Sequence, residues 1–332
     1  MSDAALTPAA NGIYLSSSPH FTEGNTTRRI MATVLISLLP ECIYAVITFG
    51  LGALLTILVS VASCVLFEWL FQKVIGKEST IDNLSACVTG VLLALVLSSK
   101  VPLWMTVIGA FAAIVLAKGL FGGIGSNVFN PALIGRGFMV ISFGSAMSSW
   151  ATPGNIDAVS SATVLSQIKT GTFIADSKNL LQFFVGNRAG CMGETSILLI
   201  LLSFVFLLVT KTIDWRAPVA MTGTVAVATF FSSVISNGSA VFAFSDILLA
   251  LMTGGLLFGA TFMVTDYATA PVTKPGRLMF GFGCGLITFL IRKFGGYPEG
   301  VMFSILIMNS IAPFLNRLTA RKYGYGTKGG AQ

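Results

Sequence analysis

The chain has 332 residues, of which 54% are apolar and only 10% charged, and it carries a formal net charge of +7. Soluble domains carry about a quarter charged residues, so this composition, with a mean hydropathy of +0.85, excludes an ordinary soluble protein and points to an all-α polytopic membrane protein. The positive balance does not indicate nucleic acid, because Lys and Arg are strung singly between apolar runs and never form a dense stripe.

Residues 1–29 are polar, contain the only histidine, His20, and show no apolar stretch behind a basic start. A cleaved signal is therefore not expected, and the first span is expected to direct insertion. Apolar runs then recur over Ile30 to Phe49, Gly52 to Phe71, Leu84 to Leu97, Leu103 to Ala117, Val128 to Ser145, Ile197 to Val209, Pro218 to Ile235, Ile247 to Val264, Leu278 to Ile291 and Gly300 to Leu315. Read by length, these predict about ten transmembrane helices. A cytoplasmic amino terminus places most of the 20 basic residues inside, as the positive-inside rule requires. Both termini are then cytoplasmic and the longest loop extracytoplasmic. The resulting division is a cytoplasmic segment 1–29, membrane repeats 30–145 and 197–316, an outer loop 146–196 and a cytoplasmic tail 317–332.

The two membrane parts resemble each other in sequence. Asp82-Asn-Leu-Ser-Ala-Cys-Val-Thr89-Gly90-Val-Leu-Leu93 aligns without a gap on Asp246-Ile-Leu-Leu-Ala-Leu-Met-Thr253-Gly254-Gly-Leu-Leu257, and Phe121-Gly-Gly123 corresponds to Phe294-Gly-Gly296. Five spans separate equivalent elements, and five is odd, so the second copy crosses in the opposite sense. The expectation is two inverted five-helix repeats whose Thr-Gly pairs interrupt helices near the midplane. Close packing of helices through small residues is the alternative reading of each pair.

Few polar groups remain to carry chemistry. No Ser-His-Asp set, dinucleotide glycine fingerprint or phosphate-binding loop is present, which excludes the common soluble catalytic designs. The five cysteines are far apart with no Cys-x-x-Cys spacing and read as small buried hydrophobes, with no metal site supplied by this chain alone. Arg136 lies within a span, where a guanidinium is costly unless paired. It is expected to face the interior and pair with an acid or a flavin oxygen, or alternatively with Glu41, which follows Pro40 in the first span. Glu194, Asp266 and Glu299 stand at span ends, where they are either solvated or candidates for an ion pathway. Glu68, followed by Trp69, reads as interfacial.

In the outer loop, Asp157-Ala-Val-Ser160-Ser161-Ala162-Thr163 precedes the apolar-periodic Val164-Leu-Ser-Gln-Ile168. This is a helix start, which also suits an anion. It resembles the acceptor motif of flavin transferases, Asp-x-x-(Ser/Thr)-(Gly/Ser)-Ala-Thr, whose final threonine is esterified by FMN; the match differs in having Ser161 where glycine is usual. The segment from Phe121 through Asn130-Pro131 to Arg136, with Gly193-Glu194-Thr195-Ser196, Met263-Val-Thr-Asp266 and Gly295-Gly-Tyr297-Pro298-Glu299-Gly300, resembles the family that contains the D subunit of the Rnf complex and the B subunit of the sodium-pumping NADH:quinone reductase. The shortness of the amino-terminal extension and the Gly-Gly-Tyr-Pro-Glu-Gly run favour the Rnf form.

That resemblance implies a chain in the cell inner membrane, part of a complex coupling ferredoxin:NAD⁺ oxidoreduction to Na⁺ or H⁺ translocation. It implies covalent FMN on Thr163, with Asp157, Ser160, Ser161 and Ala162 as the attachment motif, and a noncovalent riboflavin in the membrane part. It also implies a flavin transferase, a second flavinylated subunit and iron–sulfur subunits as partners. A component of the quinone reductase, a non-redox inverted-repeat transporter and a structural scaffold are the alternatives.

Overall fold

The computed structural model describes residues 26–151, 164–169, 182–186, 189–237, 240–296 and 299–319. Asp157, Ser160, Ser161, Ala162 and Thr163 lie outside these residues, as do most of the amino-terminal segment, much of the outer loop and the tail from residue 320. Every regular element among the described residues is helical.

Helix α1 (Thr27–Phe49) starts where the Thr26 hydroxyl accepts the Arg29 N–H, and it ends at Gly50, whose φ is 71°. Only glycine takes such a value without cost, so α2 (Leu51–Ile75) can begin at once. Gly76, in the left-handed region, closes α2 with its N–H on the Gln72 and Lys73 carbonyls. α3 (Ser85–Leu95) has almost every residue buried. Its Gly90 lies so close to α2 that an added Cβ would sit 2.7 Å from Val61 Cα, and Ser60 Oγ donates to the Gly90 carbonyl at 2.7 Å. α4 (Leu103–Phe111) runs on into a π-helix, Ala112–Gly119. α5 (Pro131–Ser142) is started by Pro131 and by the Asn130 side chain, which accepts the Leu133 N–H.

The second half consists of α6 (Ile197–Val209), α7 (Arg216–Asn237), α8 (Ala240–Met252), a short turn Leu256–Phe258 running into a π-helix Gly259–Met263, α9 (Lys274–Phe294) and α10 (Val301–Thr319). α7 and α9 pack through small residues: an added Cβ at Gly285 would meet the Met221 carbonyl at 2.6 Å. Large apolar side chains such as Ile47, Leu202 and Ile235 point outward from α1, α6 and α7, as a lipid-facing surface requires.

The expectation of ten spans is corrected. Among the described residues four helices are long and apolar enough to cross a membrane, Thr27–Phe49, Leu51–Ile75, Arg216–Ile235 and Val301–Thr319, and a fifth if the bent pair Phe244–Met252 and Leu256–Met263 counts as one. Ser85–Leu95, Leu103–Gly119, Pro131–Ser142 and Ile197–Val209 are apolar but shorter. A bilayer core needs about 20 helical residues, and in sequence a short buried helix reads the same as a span. Two inverted five-helix repeats are not evident either. Thr89-Gly90 lies inside unbroken α3, whereas Thr253-Gly254 lies at a break.

Glu68 is likewise not interfacial. Lys118, at the end of the first π-helix, pairs with it at 2.7 Å, and both side chains are 5% exposed. Lys118 also donates to Ser85 Oγ at 2.7 Å, while Thr80 donates to the second Glu68 oxygen at 3.2 Å. Outside the helices, Asp214 accepts the Arg216 N–H and the guanidiniums of Arg216 and Arg277, at 3.0, 2.7 and 2.8 Å, and so clips the α6–α7 connection to α9. Partial burial raises the Asp214 carboxyl, but these three donors outweigh it and hold the group below the usual carboxylate range.

Lys118→Met leaves a buried carboxylate without its cation and should lower stability by about 3–5 kcal/mol, read as the thermal unfolding midpoint in detergent. Adding Glu68→Gln should restore most of the loss; an unrestored double variant would show that the pair is not what the lysine supports. For Asp214, a pKa depressed in the folded state means stability that is present at neutral pH and lost as pH falls through that pKa. Asp214→Asn should therefore unfold earlier than the parent at neutral pH, with the difference closing in acid.

Candidate functional site

Two of the three acids expected at span ends, Glu194 and Glu299, come together beside Arg136. Arg136, on α5, points to Glu299, just before α10, with Nη2 to Oε2 at 2.6 Å. The 3-10 turn Met192–Glu194 brings Glu194 beside them, its Oε1 accepting the Cys191 N–H at 2.7 Å. Cys191 Sγ and carboxylate oxygens of Glu194 and Glu299 lie within 4.8 Å of one another. Arg136 thus pairs with Glu299 and not with Glu41, and it faces the interior as expected.

The break between α8 and the turn at Leu256 forms the opposite wall. The two helical pieces meet at 63°, and Gly254 and Gly255 hold φ of 70° and 62°, values that ordinary residues adopt only at a cost. A Cβ on Gly255 would stand 2.9 Å from Glu194 Oε2, and one on Gly190 would stand 2.8 Å from Oε1. Glycine is what lets this carboxylate sit against backbone. The carbonyls freed at the end of α8 are taken by Arg292 of α9, which donates to Ala250, Thr253 and Gly254 at 2.6, 2.9 and 3.1 Å. A cation at a helix carboxyl end also opposes the negative end of the helix dipole.

A void of about 30 Å³ remains among Arg136, Cys191, Glu194, Gly254, Gly255 and Glu299, enough for one water or a bare cation. Carboxylates and a thiol suit a cation. A void of this size does not admit an isoalloxazine ring, and the described residues form no FMN site. The expectation of flavin cofactors, FMN on Thr163 and riboflavin in the membrane part, is corrected to that extent, Thr163 itself lying outside the described residues.

Asp266 is not part of this cluster. It accepts the Thr269 hydroxyl at 3.0 Å and borders a separate cavity of about 540 Å³, whose wall also includes Thr27, Val34, Lys118, Asn130 and Leu207. The sequence reading missed the place of Cys191, taken for a small buried hydrophobe, and gave Arg292 no role beyond that of one more basic residue between apolar runs. The double glycine at 254–255 and Gly190 four residues before Glu194 were the available signals.

Gly255→Ala should cost about 1–2 kcal/mol for the left-handed backbone alone, and more because the new methyl displaces Glu194. Gly223→Ala, inside α7 where nothing lies within 4 Å of an added Cβ, is the control and should leave the unfolding midpoint the same or slightly higher. Equal midpoints for both variants would show that the break tolerates a side chain.

Residues 14–324 match the NQR2, RnfD, RnfE family. The chain is 38% identical over 323 residues to the D subunit of the proton-translocating ferredoxin:NAD(+) oxidoreductase complex of Clostridium ljungdahlii, covering 95% of this chain and 96% of that one. It is 39% identical over 313 residues to the D subunit of the Na(+)-translocating ferredoxin:NAD(+) oxidoreductase complex of Acetobacterium woodii, covering 93% and 95%. To the D subunit of the ion-translocating oxidoreductase complex of Actinobacillus succinogenes it is 34% identical over 354 residues, covering 95% and 99%. The family description names no flavin. A largely helical, multi-pass chain matched over nearly its full length in this way belongs to the NQR2, RnfD, RnfE family, as a membrane subunit of an ion-translocating oxidoreductase complex.

Proposed function

We propose that this chain is the D subunit of a complex that couples ferredoxin:NAD⁺ oxidoreduction to the movement of Na⁺ or H⁺, and that Glu194 and Glu299, set by Arg136, mark the ion's way through it. The observation that carries the reading is the void enclosed by two carboxylates, a thiol and a guanidinium at a helix break. Ionisable side chains in such a position are costly to keep and commonly belong to an ion path. Half-helices meeting at a polar site are how membrane proteins present backbone carbonyls and helix ends to an ion. In this reading Arg136 supplies the fixed positive charge beside Glu299, and Glu194, on the other side of the void, offers the second carboxylate. Asp266, on the wall of the large cavity, is in this reading a further stop for the ion.

Iron–sulfur and flavin-bearing partner subunits supply and remove the electrons in this reading. The chain lies in the cell inner membrane with both termini on the cytoplasmic side, residues 146–196 outside, and membrane parts 30–145 and 197–316 flanking that loop. Relatives named for protons and for sodium are about equally similar to this chain, so overall similarity does not choose between the two ions.

The test uses the whole complex in liposomes. In Glu194→Gln and Glu299→Gln, ion uptake per NAD⁺ reduced should fall to a small fraction of the parental ratio, while uncoupled electron transfer continues. Uptake at the parental ratio in both variants would end the assignment.

A further inference from the structure

A second carboxylate inside the bundle is used by nothing described above. Glu41 lies in the middle of α1 and is 3% exposed. Its Oε1 is 2.8 Å from Ser203 Oγ on α6, and the same Ser203 Oγ is 2.7 Å from the Ser37 carbonyl oxygen. Glu41 Oε2 is buried and meets no hydrogen-bond partner. No Lys or Arg among the described residues forms an ion pair with Glu41.

Proton counting decides the state of this group. A serine hydroxyl has one proton to give, and a backbone carbonyl can only accept. Both short contacts of Ser203 are hydrogen bonds together only if Ser203 donates to Ser37 and receives from Glu41. That requires a proton on Glu41 Oε1. An ionised carboxylate enclosed by apolar helices with no counter-charge would be costly, whereas a neutral acid whose second oxygen lacks a donor is not.

Local sequence explains why the arrangement exists. Pro40 has no N–H, so the Ile36 carbonyl, next to that of Ser37, loses its helical donor. Ser203 of α6 reaches the Ser37 carbonyl at 2.7 Å, as hydroxyls of adjacent helices do in a bilayer.

The groups around Glu41 leave it alone electrically. On α1 itself the neighbours are Cys42 and Tyr44. The elements packed against α1 contribute Cys64, Glu68 and Lys73 from α2, Cys87 from α3, Asp82 and Glu194 from the two 3-10 turns, and no charge from α6. None of them is hydrogen-bonded to Glu41, and Lys118 already holds Glu68. The route for a proton is short. Val34 and Leu207 line the large cavity, and Ser37 and Ser203 are their neighbours one turn further along the α1 and α6 faces.

We infer that Glu41, with Ser203 and the Ser37 carbonyl, is a proton-binding site in the α1–α6 seam, protonated at neutral pH and exchanging with water in the adjoining cavity. The Glu41 O–H breaks, the proton passes to water, and nothing is oxidised or reduced. The inference rests on hydrogen-bond geometry and does not depend on the ion-path reading of Glu194 and Glu299.

The experiment is infrared spectroscopy of the whole complex in lipid at neutral pH, in H₂O and D₂O. The parent should show a protonated-carboxyl C=O band that shifts on deuteration, and Glu41→Gln, which keeps size and hydrogen bonding, should lose it. Ser203→Ala should keep the band but move it, because the acid loses its acceptor, and this variant carries the test if Glu41→Gln does not assemble. Dicyclohexylcarbodiimide, which attacks protonated carboxyls, should label the peptide containing Glu41, less as pH rises and equally with or without sodium chloride. An unchanged spectrum in both variants would overturn the site, and labelling suppressed by sodium at constant pH would make it a sodium site instead.

Discussion

Charge and free backbone enclosed by apolar helices must find their partners inside the bundle, because lipid offers neither water nor counter-ion. This constraint shapes the interior more than any apolar contact does. Lys118 is closed on Glu68, Arg136 on Glu299 and Arg292 on the carbonyls at the end of α8. Each closure ties together elements far apart in sequence, and each fixes how a short or broken helix sits against a long one. Breaking one side of such a pair leaves the other side stranded, which is why these contacts are costly to lose although their net worth as formed is modest.

Irregular backbone is concentrated where these closures are. The first π-helix carries Lys118 in its last turn, and the second begins shortly after the Gly254-Gly255 break and runs along the wall of the large cavity. Widened turns of this kind interrupt the regular hydrogen-bond ladder and tend to occur at functional sites. Glycine with positive φ at 254 and 255 lets two helix ends approach the Glu194 carboxylate. The site is therefore built by removing side chains as much as by placing them.

Membership of an ion-translocating complex is what lets these features be read together. In the reading proposed above, a carboxylate group at a helix break, a separate cavity bordered by Asp266, and a protonated acid in the α1–α6 seam are three ways of holding a cation or a proton within a hydrophobic solid. They differ in how charge is balanced: by guanidinium, by hydroxyl, or by the proton itself.

Composition and local pattern were enough to determine that this is a helical membrane chain. The apolar runs placed most helices within a few residues, because a helix's apolar stretch is set locally along the chain. Motif order in the chain was enough to identify the family. The number of true spans was not legible, since an apolar run of 11 to 17 residues has the same appearance whether it crosses lipid or is wrapped by other helices. Nor was the pairing of Arg136 with Glu299, 163 residues away, or the convergence of Cys191 with two acids. Such partnerships are set by which helix ends the packing brings together, and only the tertiary structure decides that.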